Sequence, residues 1–311
     1  MLTPTPYEST PRPAEVAFHD AAANERQAGD AGGWMVALDV DGTLTHDGRR
    51  DVPEQTARAV AAARTAGHKV VLATGRSLVG VLPIAGKLDL AGWVVASNGA
   101  VTARLDPAAP GGYTLAARDV QALDVGPVLT AALTARLHSL QVAVEEIGWG
   151  YHVTSEFEPG LLSGQQDVVL AGELMELASP RVVLRALGVS ALVGPLRAVG
   201  LTVTPVDASW LDVTPGGVSK ATALETVRTR LGIPTQRTIA VGDGANDIEA
   251  LVWAARGVAM GHASQAVREA ADEITGTITE RGVIAVLESL PAPRSLSTGE
   301  LATEPITVGP A

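Results

Sequence analysis

The chain has 311 residues, with 34 acidic and 23 basic side chains, a formal net charge of −11, and no cysteine. The missing cysteine excludes disulfides, thiolate nucleophiles and zinc–thiolate sites. The acidic balance argues against a nucleic-acid partner, and the lack of any run of about 18 apolar residues argues against a membrane partner. The first 33 residues lack a secretory signal pattern, which together with the missing cysteine favours a cytoplasmic protein.

Both ends of the chain have the composition of unfolded tails. Residues 1–33 and 291–311 are rich in proline and small polar residues. The first contains only Tyr7 and Phe18 as aromatic residues, and the second contains none. Such segments cannot bury enough apolar surface to fold alone. We therefore predict disordered tails at both ends.

Apolar runs and helical patterns alternate after the first tail. Buried strands are predicted by the apolar runs at 34–38, 69–73 and 93–96. A helix is predicted over 53–66, between the first two strands, and it ends at Gly67. Strands that alternate with helices in this way pair in parallel through right-handed crossovers.

The same alternation returns late in the chain, after a segment of different character. The late elements are a helix at 219–231, a strand at 238–241, a helix at 246–255 and a strand at 257–260. The segment before them has strands such as 141–144 and 201–204, separated by helices near 126–139 and 189–199. The predicted fold class is α/β: a doubly wound parallel-sheet core at 34–118 and 214–290 with an inserted α+β domain at 119–213.

Polar residues follow directly after three predicted strands, where an open parallel sheet places its ligand site. Gly42 permits a sharp turn that can aim two carboxylates at one point. Three neighbouring acids repel each other, and Mg²⁺ is the usual counter-ion for hard oxygen ligands. Lys220 adds a second positive charge. The motifs are Asp39-Val40-Asp41-Gly42-Thr43-Leu44, Thr74-Gly75-Arg76 and Gly242-Asp243-Gly244-Ala245-Asn246-Asp247.

Each motif taken alone also fits a structural explanation. An Asp-x-Asp-Gly segment is commonly a turn, Thr74 fits a helix N-cap, and Lys220 fits a solvated helix face. A calcium loop is excluded because Thr43 stands where that loop needs Asp or Asn. A dinucleotide-binding turn is excluded because Asp247 stands at the third glycine. The motifs together, in this order, favour one catalytic site.

These motifs resemble those of the haloacid dehalogenase superfamily, and within it the Cof-type sugar phosphatases. The resemblance covers about residues 34–290 and includes Ser97-Asn98-Gly99-Ala100 after the third strand. The visible departure is Ala221, where many relatives have glycine. The resemblance implies a Rossmann-like core with an α/β cap. It also implies a Mg²⁺-dependent phosphomonoesterase that acts on small phosphorylated metabolites, sugar phosphates foremost, through an aspartyl-phosphate.

The resemblance also implies the roles of single residues. Asp39 is the expected nucleophile, and Asp41 is the expected general acid and then base. Thr74 and Lys220 are expected to hold the phosphoryl group, and Lys220 also to neutralise Asp39. Substrate contacts are expected at Gly42, Gly75, Arg76, Asn98 and Gly99. Mg²⁺ ligands are expected at Asp39, Asp243 and the backbone carbonyl of Asp41, with Asn246 and Asp247 in outer positions.

Two alternatives differ in what happens to the phosphoryl group. A phosphomutase would use the same acid and base, but the chain between Asp41 and Thr74 has no room for the helical cap of that branch. A non-catalytic metabolite-binding module would require the loss of a catalytic group, and the motif residues are all present.

The inserted domain offers weaker signals. A glycine-interrupted segment at 148–152 can bring aromatic and polar groups over a ligand, although packing within the domain explains it equally well. Hinges are predicted at 117–118 and 215–217, where the inserted domain leaves and rejoins the core. The side chains predicted to face the ligand are Trp149, Tyr151 and His152, whereas His68, His138 and His262 are interpreted as surface or packing residues.

Overall fold

The computed structural model describes residues 33–46, 48–49 and 51–291 of the chain. The two predicted tails therefore lie outside the described residues, apart from Gly33 and Pro291. Among the helices in these ranges, none combines the length and the apolar character that crossing a bilayer requires.

The first segment alternates strands and helices as predicted. Helix α1 buries Thr56, Val60 and Ala63, which lie on one face because of their spacing. The helix ends before Gly67, whose φ of 97° is incompatible with a right-handed α-helix. The elements are β1 (Met35–Leu38), α1 (Glu54–Thr65), β2 (Lys69–Ala73), α2 (Leu78–Lys87), β3 (Gly92–Ala96), β4 (Val101–Leu105) and β5 (Tyr113–Thr114).

The middle segment is built mainly from strands. Helix α3 begins at Asp124, whose side chain accepts a hydrogen bond from the backbone N–H of Gly126. The elements are β6 (Leu123–Asp124), α3 (Val125–Thr134), β7 (Gln141–Glu146), β8 (Gly150–Val153), β9 (Gln165–Val168), α4 (Ala171–Leu174), β10 (Ala178–Ser179), β11 (Val182–Arg185), α5 (Val193–Ala198), β12 (Thr202–Asp207) and β13 (Trp210–Thr214).

The last segment returns to alternation, with one difference from the prediction. The helix predicted over 246–255 starts as a 3₁₀ turn and becomes α-helical only at Ile248, because the Asp247 side chain accepts the backbone N–H groups of the preceding loop. The elements are α6 (Lys220–Leu231), β14 (Thr238–Gly242), α7 (Ile248–Trp253), β15 (Arg256–Ala259), α8 (Gln265–Ala270), β16 (Glu273–Ile274) and α9 (Gly282–Glu288).

The first sheet has the order β16-β15-β14-β1-β2-β3-β4-β5 within the described residues. Its strands from β16 to β3 are parallel, and β4 and β5 continue it antiparallel. Alternate residues of β1 enter different clusters, Val36 and Leu38 on one face, Met35 and Ala37 on the other. Both faces are covered, which explains why the parallel strands are continuously apolar.

The second sheet has the order β12-β13-β11-β7-β8-β9. Its neighbours are antiparallel except β8 and β9. One face packs with α3 and α5 around Val142 and Val182, and the other carries Ala143, Tyr151 and Val183. The predicted fold class, a parallel α/β core with an inserted α+β unit, is confirmed.

The chain leaves the first sheet through a short 3₁₀ helix at Ala117–Asp119 that contains the first predicted hinge. Asp119 is buried and forms an ion pair with Arg230 of α6. This pair ties the segment to helix α6 of the core. The exact boundaries of the two domains, and the hinges themselves, stay predictions.

Candidate active site

The predicted motifs meet at one edge of the first sheet. Strands β14, β1, β2 and β3 are neighbours and run parallel, so their carboxyl ends lie side by side. Asp243 follows β14, Asp39 follows β1, Thr74 follows β2 and Asn98 follows β3. This edge is where open α/β sheets bind their ligands.

Lys220 lies between two of the acids. Its Nζ is 2.7 Å from Asp39 Oδ1 and 2.6 Å from Asp247 Oδ1, and its side chain is fully buried. Helix α6 places it in the first turn, after Ser219 caps the helix through the backbone N–H of Thr222. Burial alone would lower the pKa of Lys220, but the charges of Asp247 and Asp39 outweigh burial and raise it. Lys220 is therefore a fixed positive charge.

Three carboxylates, those of Asp39, Asp243 and Asp247, converge so that one oxygen of each lies within 4.8 Å of the others. Burial and the neighbouring charge of Asp247 raise the pKa of Asp39 well above its ordinary value, against the opposing effect of Lys220. One ammonium does not balance three carboxylates, so the site carries excess negative charge.

Gly42 makes the approach of Asp243 possible. Its φ is +77°, and a Cβ added there would lie 2.2 Å from Asp243 Oδ2. Only glycine fits both the left-handed backbone and the contact. The next residue, Thr43, donates its hydroxyl to Asp243 Oδ1 at 3.2 Å. The Asp-x-Asp-Gly turn is thus shaped around the acid from β14.

The donor set fits a hard divalent cation, because carboxylate oxygens are the ligands that Mg²⁺ prefers. Asp247 Oδ1 accepts from Lys220, and its Oδ2 accepts the backbone N–H groups of Asp243 and Gly244 at 3.1 and 2.9 Å. With both oxygens engaged, Asp247 suits the expected outer position. The carboxylates of Asp39 and Asp243 are then the side chains that would hold the ion, and ligation by the backbone carbonyl of Asp41 stays a prediction.

Asp41 forms its ion pair with Arg76. Its Oδ2 lies 2.7 Å from Arg76 Nε and its Oδ1 lies 2.5 Å from Arg76 Nη2. The backbone N–H of Gly48 also donates to Oδ1, at 3.0 Å. The forked contact orients the Asp41 carboxylate at the wall of the cavity described below.

The loop after β3 has an unusual backbone. Ser97, Asn98 and Gly99 all have positive φ, at 49°, 55° and 103°. Asn98 donates to Asp212 Oδ2 at 3.1 Å and accepts from the Asn246 side chain at 2.9 Å. A Cβ on Gly99 would lie 2.2 Å from the Ser219 carbonyl oxygen. Gly99 therefore allows close packing of the segment that leads into Lys220.

A cavity of about 510 Å³ lies between this edge and the second sheet. Four of the predicted residues lie behind its wall rather than in it: Gly42, Gly99, Lys220 and Asp247. Those that line it are Asp39, Asp41, Thr74, Gly75, Arg76, Asn98, Asp243 and Asn246. The contacts of Lys220 thus support neutralisation of Asp39, and those of Gly42 and Gly99 support positioning of neighbours.

The second sheet contributes both polar and apolar residues to the cavity. Tyr151 fits both interpretations, because it lines the cavity and is also buried in the apolar cluster of the second sheet. Trp149 and His152 instead contact each other, with ring centroids 5.9 Å apart, and His152 Nε2 lies 2.9 Å from Glu146. The apolar lining includes Leu161, Leu162, Pro205, Val206 and Trp210, and the polar lining includes Arg181, Asp207 and Asp212.

The three histidines interpreted as surface or packing residues differ. His138 is exposed, and His68 is buried and accepts a hydrogen bond from the backbone N–H of Trp34. His262 Nε2 lies 3.6 Å from Asp243 Oδ2, next to the acidic cluster. Sequence reasoning missed this position of His262, because the loop after β15 carries no motif that singles it out.

Arg181 and Asp212 were also missed, although the sequence contains a usable signal for them. Each is a charged residue beside apolar residues of a strand: Arg181 precedes Val182, Val183 and Leu184, and Asp212 lies between Leu211 and Val213. Charged side chains in such a setting are buried only with partners.

The fold and the site together define an α/β enzyme with an acidic, enclosed site at the edge of a parallel sheet. A family model for haloacid dehalogenase-like hydrolases matches residues 36–158 and 196–287. The chain belongs to that family.

Named relatives extend the match over most of the chain. A 5-amino-6-(5-phospho-D-ribitylamino)uracil phosphatase of Bacillus subtilis is 28% identical over 82% of this chain and 96% of its own length. A phosphoglycolate phosphatase of Natronomonas pharaonis is 30% identical over 81% of this chain and 96% of its own length. The expected membership in the superfamily, as an enzyme of the phosphatase class, is confirmed.

Solved structures agree in architecture. A phosphatase of this superfamily from Bacteroides thetaiotaomicron is 27% identical, with a TM-score of 0.68, and the match covers 84% of this chain and 96% of that one. A subclass IIB sugar phosphatase has a TM-score of 0.69 at 23% identity, over 82% of this chain and 98% of that one, and this likeness concerns the fold alone.

Proposed function

We propose that the protein is a Mg²⁺-dependent phosphomonoesterase that hydrolyses small phosphorylated metabolites through an aspartyl-phosphate on Asp39. The observation that carries the proposal is the cluster of Asp39, Asp243 and Asp247 at the cavity, with the buried Lys220 bonded to Asp39 and Asp247. A nucleophilic carboxylate needs a neighbouring positive charge and a bounded space for the phosphoryl group, and this site offers both.

In the first half of the proposed reaction, an oxygen of Asp39 attacks phosphorus and the ester P–O bond breaks. Asp41 in its protonated form gives its proton to the departing alkoxide. Thr74, Gly75 and Asn98 line the cavity beside Asp39 and are proposed to hold the phosphoryl oxygens. A bound Mg²⁺ would screen the negative charge of these oxygens.

In the second half, Asp41 takes a proton from water, which attacks phosphorus and releases inorganic phosphate from Asp39. Arg76 supports this step because its two contacts orient the Asp41 carboxyl group at the cavity wall. Lys220 stays protonated and keeps Asp39 neutralised when the carboxylate is regenerated.

The substrate class is proposed from cavity and relatives together. The volume of about 510 Å³ suits a small metabolite. The relatives named above include phosphatases of a ribityl phosphate and of phosphoglycolate, both small phosphomonoesters. We propose sugar phosphates as the foremost class, with the unit at 119–213 as the cap that contacts the leaving group, in a cytoplasmic protein.

The test is phosphate release from a panel of sugar phosphates and a generic aryl phosphate, with Mg²⁺ and with excess chelator. We expect release that requires Mg²⁺ and a labelled Asp39 adduct after acid quenching. Absence of metal-dependent release from every compound would contradict the proposal. Isomerised sugar phosphate in excess of free phosphate would indicate a phosphomutase instead.

A further inference from the structure

The face of the second sheet that covers the cavity carries a buried charged group that the proposed reaction does not use. We call Arg181, Glu145, Asp212 and Tyr151 the Arg181 cluster. Arg181 Nε lies 3.1 Å from Glu145 Oε2, and its Nη1 lies 3.2 Å from Asp212 Oδ2. Its Nη2 donates to the Tyr151 hydroxyl. All four side chains are buried.

The Arg181 cluster reaches across the cavity to the first sheet. Arg181 Nη1 donates to the backbone carbonyl of Gly75, in the loop after β2. The hydroxyl of Ser97, in the loop after β3, lies 2.8 Å from both carboxylate oxygens of Glu145. Asn98 donates to Asp212 at 3.1 Å. Each charged member of the cluster thus holds one group of the loops proposed to bind phosphate.

Two of these contacts are made by residues whose backbone conformation is unfavourable, Ser97 and Asn98. Ser97 and Asn98 are both in the left-handed region, which residues other than glycine occupy only when their surroundings impose it. The side chains of the same two residues bond to Glu145 and Asp212. The second sheet therefore supplies the contacts that hold this strained segment of the first.

The two loops are also bonded to each other. The backbone N–H of Ser97 donates to the Arg76 carbonyl at 2.8 Å, and that of Asn98 donates to the Thr74 carbonyl at 3.0 Å. A shift of the Ser97–Asn98 segment therefore moves the Thr74–Arg76 loop, and with it the guanidinium that orients Asp41. Burial raises the pKa of Glu145 while Arg181 and Ser97 oppose it, which is consistent with a cluster that needs all its partners.

We propose that Arg181 is a positioning residue. Together with Glu145 and Asp212, it holds the loops proposed to bind phosphate in their active arrangement, and it does so only when the second sheet packs over the cavity. This inference rests on the proposed phosphatase function. It assigns the Arg181 cluster to alignment of the reacting groups rather than to recognition of a leaving group. Loss of the Arg181 cluster should therefore lower kcat for every substrate, whatever its leaving group.

The kinetic test compares Arg181→Met with Arg181→Lys on an aryl phosphate and on the best sugar phosphate of the panel. For Arg181→Met we expect kcat to fall roughly 10- to 100-fold on both substrates with little change in KM, because misplaced loops slow the reaction itself. Arg181→Lys, which keeps a donor for Gly75, should recover part of the loss. Arg185→Met is the matched control on the same strand, since Arg185 contacts Gln141 and Glu158 within the second sheet.

A loss confined to KM of the sugar phosphate, with the aryl phosphate unaffected, would overturn the inference and make Arg181 a recognition residue. Ser97→Ala provides a second variant if Arg181→Met does not fold. It removes only the hydroxyl that bonds Glu145, and we expect a smaller loss of kcat, again on both substrates. Unchanged kcat in a folded Ser97→Ala and Arg181→Lys would also overturn the inference.

Amide hydrogen exchange of the full chain tests the coupling without any activity. In Arg181→Met the amides of Ser97 and Asn98 should exchange at least about tenfold faster than in the wild type, while those of β11 and β13 stay protected. Equal protection of Ser97 and Asn98 in both proteins would refute the coupling. A wild type without phosphatase activity would instead refute the proposed function and leave this exchange result to decide the coupling.

Discussion

Each sheet has a buried cation beside it that contacts two carboxylates, Lys220 at the first sheet and Arg181 at the second, but the two cations differ in chemical type and in how far their contacts extend. Lys220 contacts Asp39 and Asp247, both from loops of the first sheet. Arg181 contacts Glu145 and Asp212 in the second sheet and also the Gly75 carbonyl in the first. A compact ammonium suits a single point of charge, whereas a planar guanidinium can join several partners at once.

This difference implies that the first sheet supplies the reacting groups of the site, whereas the second sheet aligns the loops around them. The acids lie in loops after neighbouring parallel strands of the first sheet and Lys220 begins helix α6 beside them, so this half of the site takes no residue from the second sheet. The loops that line the cavity above it take contacts from the other sheet. A change at Lys220 should therefore act on charge and metal, and a change at Arg181 on the geometry of the loops.

The largest effect is expected from Asp39→Asn, which removes the proposed nucleophile. Turnover should fall by roughly 10³-fold or more, because the covalent step has no substitute. The fold should persist, since the amide is the same size and relieves the repulsion from Asp247 and Asp243. Phosphate release and thermal unfolding measure the two outcomes. Asp51→Asn, at an exposed pair with Lys87, is the control, and substantial residual turnover in Asp39→Asn would contradict the assignment.

The unfolding free energies of Lys220→Met and Arg181→Met test directly whether the two buried cations have different roles. Each variant leaves two buried carboxylates without their cation, which should cost about 3–5 kcal/mol of unfolding free energy. Added Mg²⁺ should restore much of the loss in Lys220→Met, because the ion would sit among Asp39 and Asp243, and little in Arg181→Met. Urea unfolding with and without Mg²⁺ measures this.

Lys87→Met is the exposed control for that experiment, with an expected change below about 1 kcal/mol. If Mg²⁺ restores the stability of both buried variants equally, metal binding is not specific to the Lys220 site and the proposed difference between the two clusters is wrong.

A smaller effect is expected from Gly42→Ala. The new Cβ would overlap the Asp243 carboxylate, so affinity for Mg²⁺ should fall roughly 10- to 100-fold. Gly48→Ala is a matched control, because Gly48 also has positive φ, at +69°, but no atom of the described residues beyond its chain neighbours lies within 4 Å of an added Cβ. Calorimetric titration with Mg²⁺ compares them. If the two variants bind the ion equally, backbone strain rather than the contact with Asp243 limits the site.

The smallest effect concerns a partly buried ion pair, Glu225 with Arg228, outside both clusters. Hydrogen bonding from Arg228, with a further contribution from Trp253, lowers the pKa of Glu225 to about 2, below the ordinary 4.5. A depressed pKa adds stability above pH 4.5 that is lost as the pH falls toward 2. Because the Glu225 side chain is 44% exposed, we expect less than about 1 kcal/mol.

The measurement for this pair is the difference in unfolding free energy between wild type and Glu225→Gln at neutral pH and near pH 3. The difference should shrink on acidification. A difference that stays constant would show that Glu225 keeps an ordinary pKa in the folded protein.

Much of the catalytic edge could be predicted from sequence because its geometry follows from local pattern. Apolar runs identify parallel strands, and residues after such strands must meet at one edge, so Asp39, Thr74 and Asp243 could be grouped without coordinates. The same reasoning placed Lys220 at the start of a helix. It could not distinguish residues that line the cavity from those behind it, as with Gly42 and Gly99, because that depends on packing distances.

The Arg181 cluster was decided by tertiary structure alone. Arg181 and Gly75 are 106 residues apart, and Asn98 and Asp212 are 114 apart. Arg181 directly precedes β11 and Asp212 lies in β13, its antiparallel neighbour. The pairing of these strands and the face that each side chain occupies depend on the whole second sheet and on how it packs over the first. Local pattern marks each as a charged residue that needs a partner, but only the packing of the two sheets brings that partner within hydrogen-bond distance.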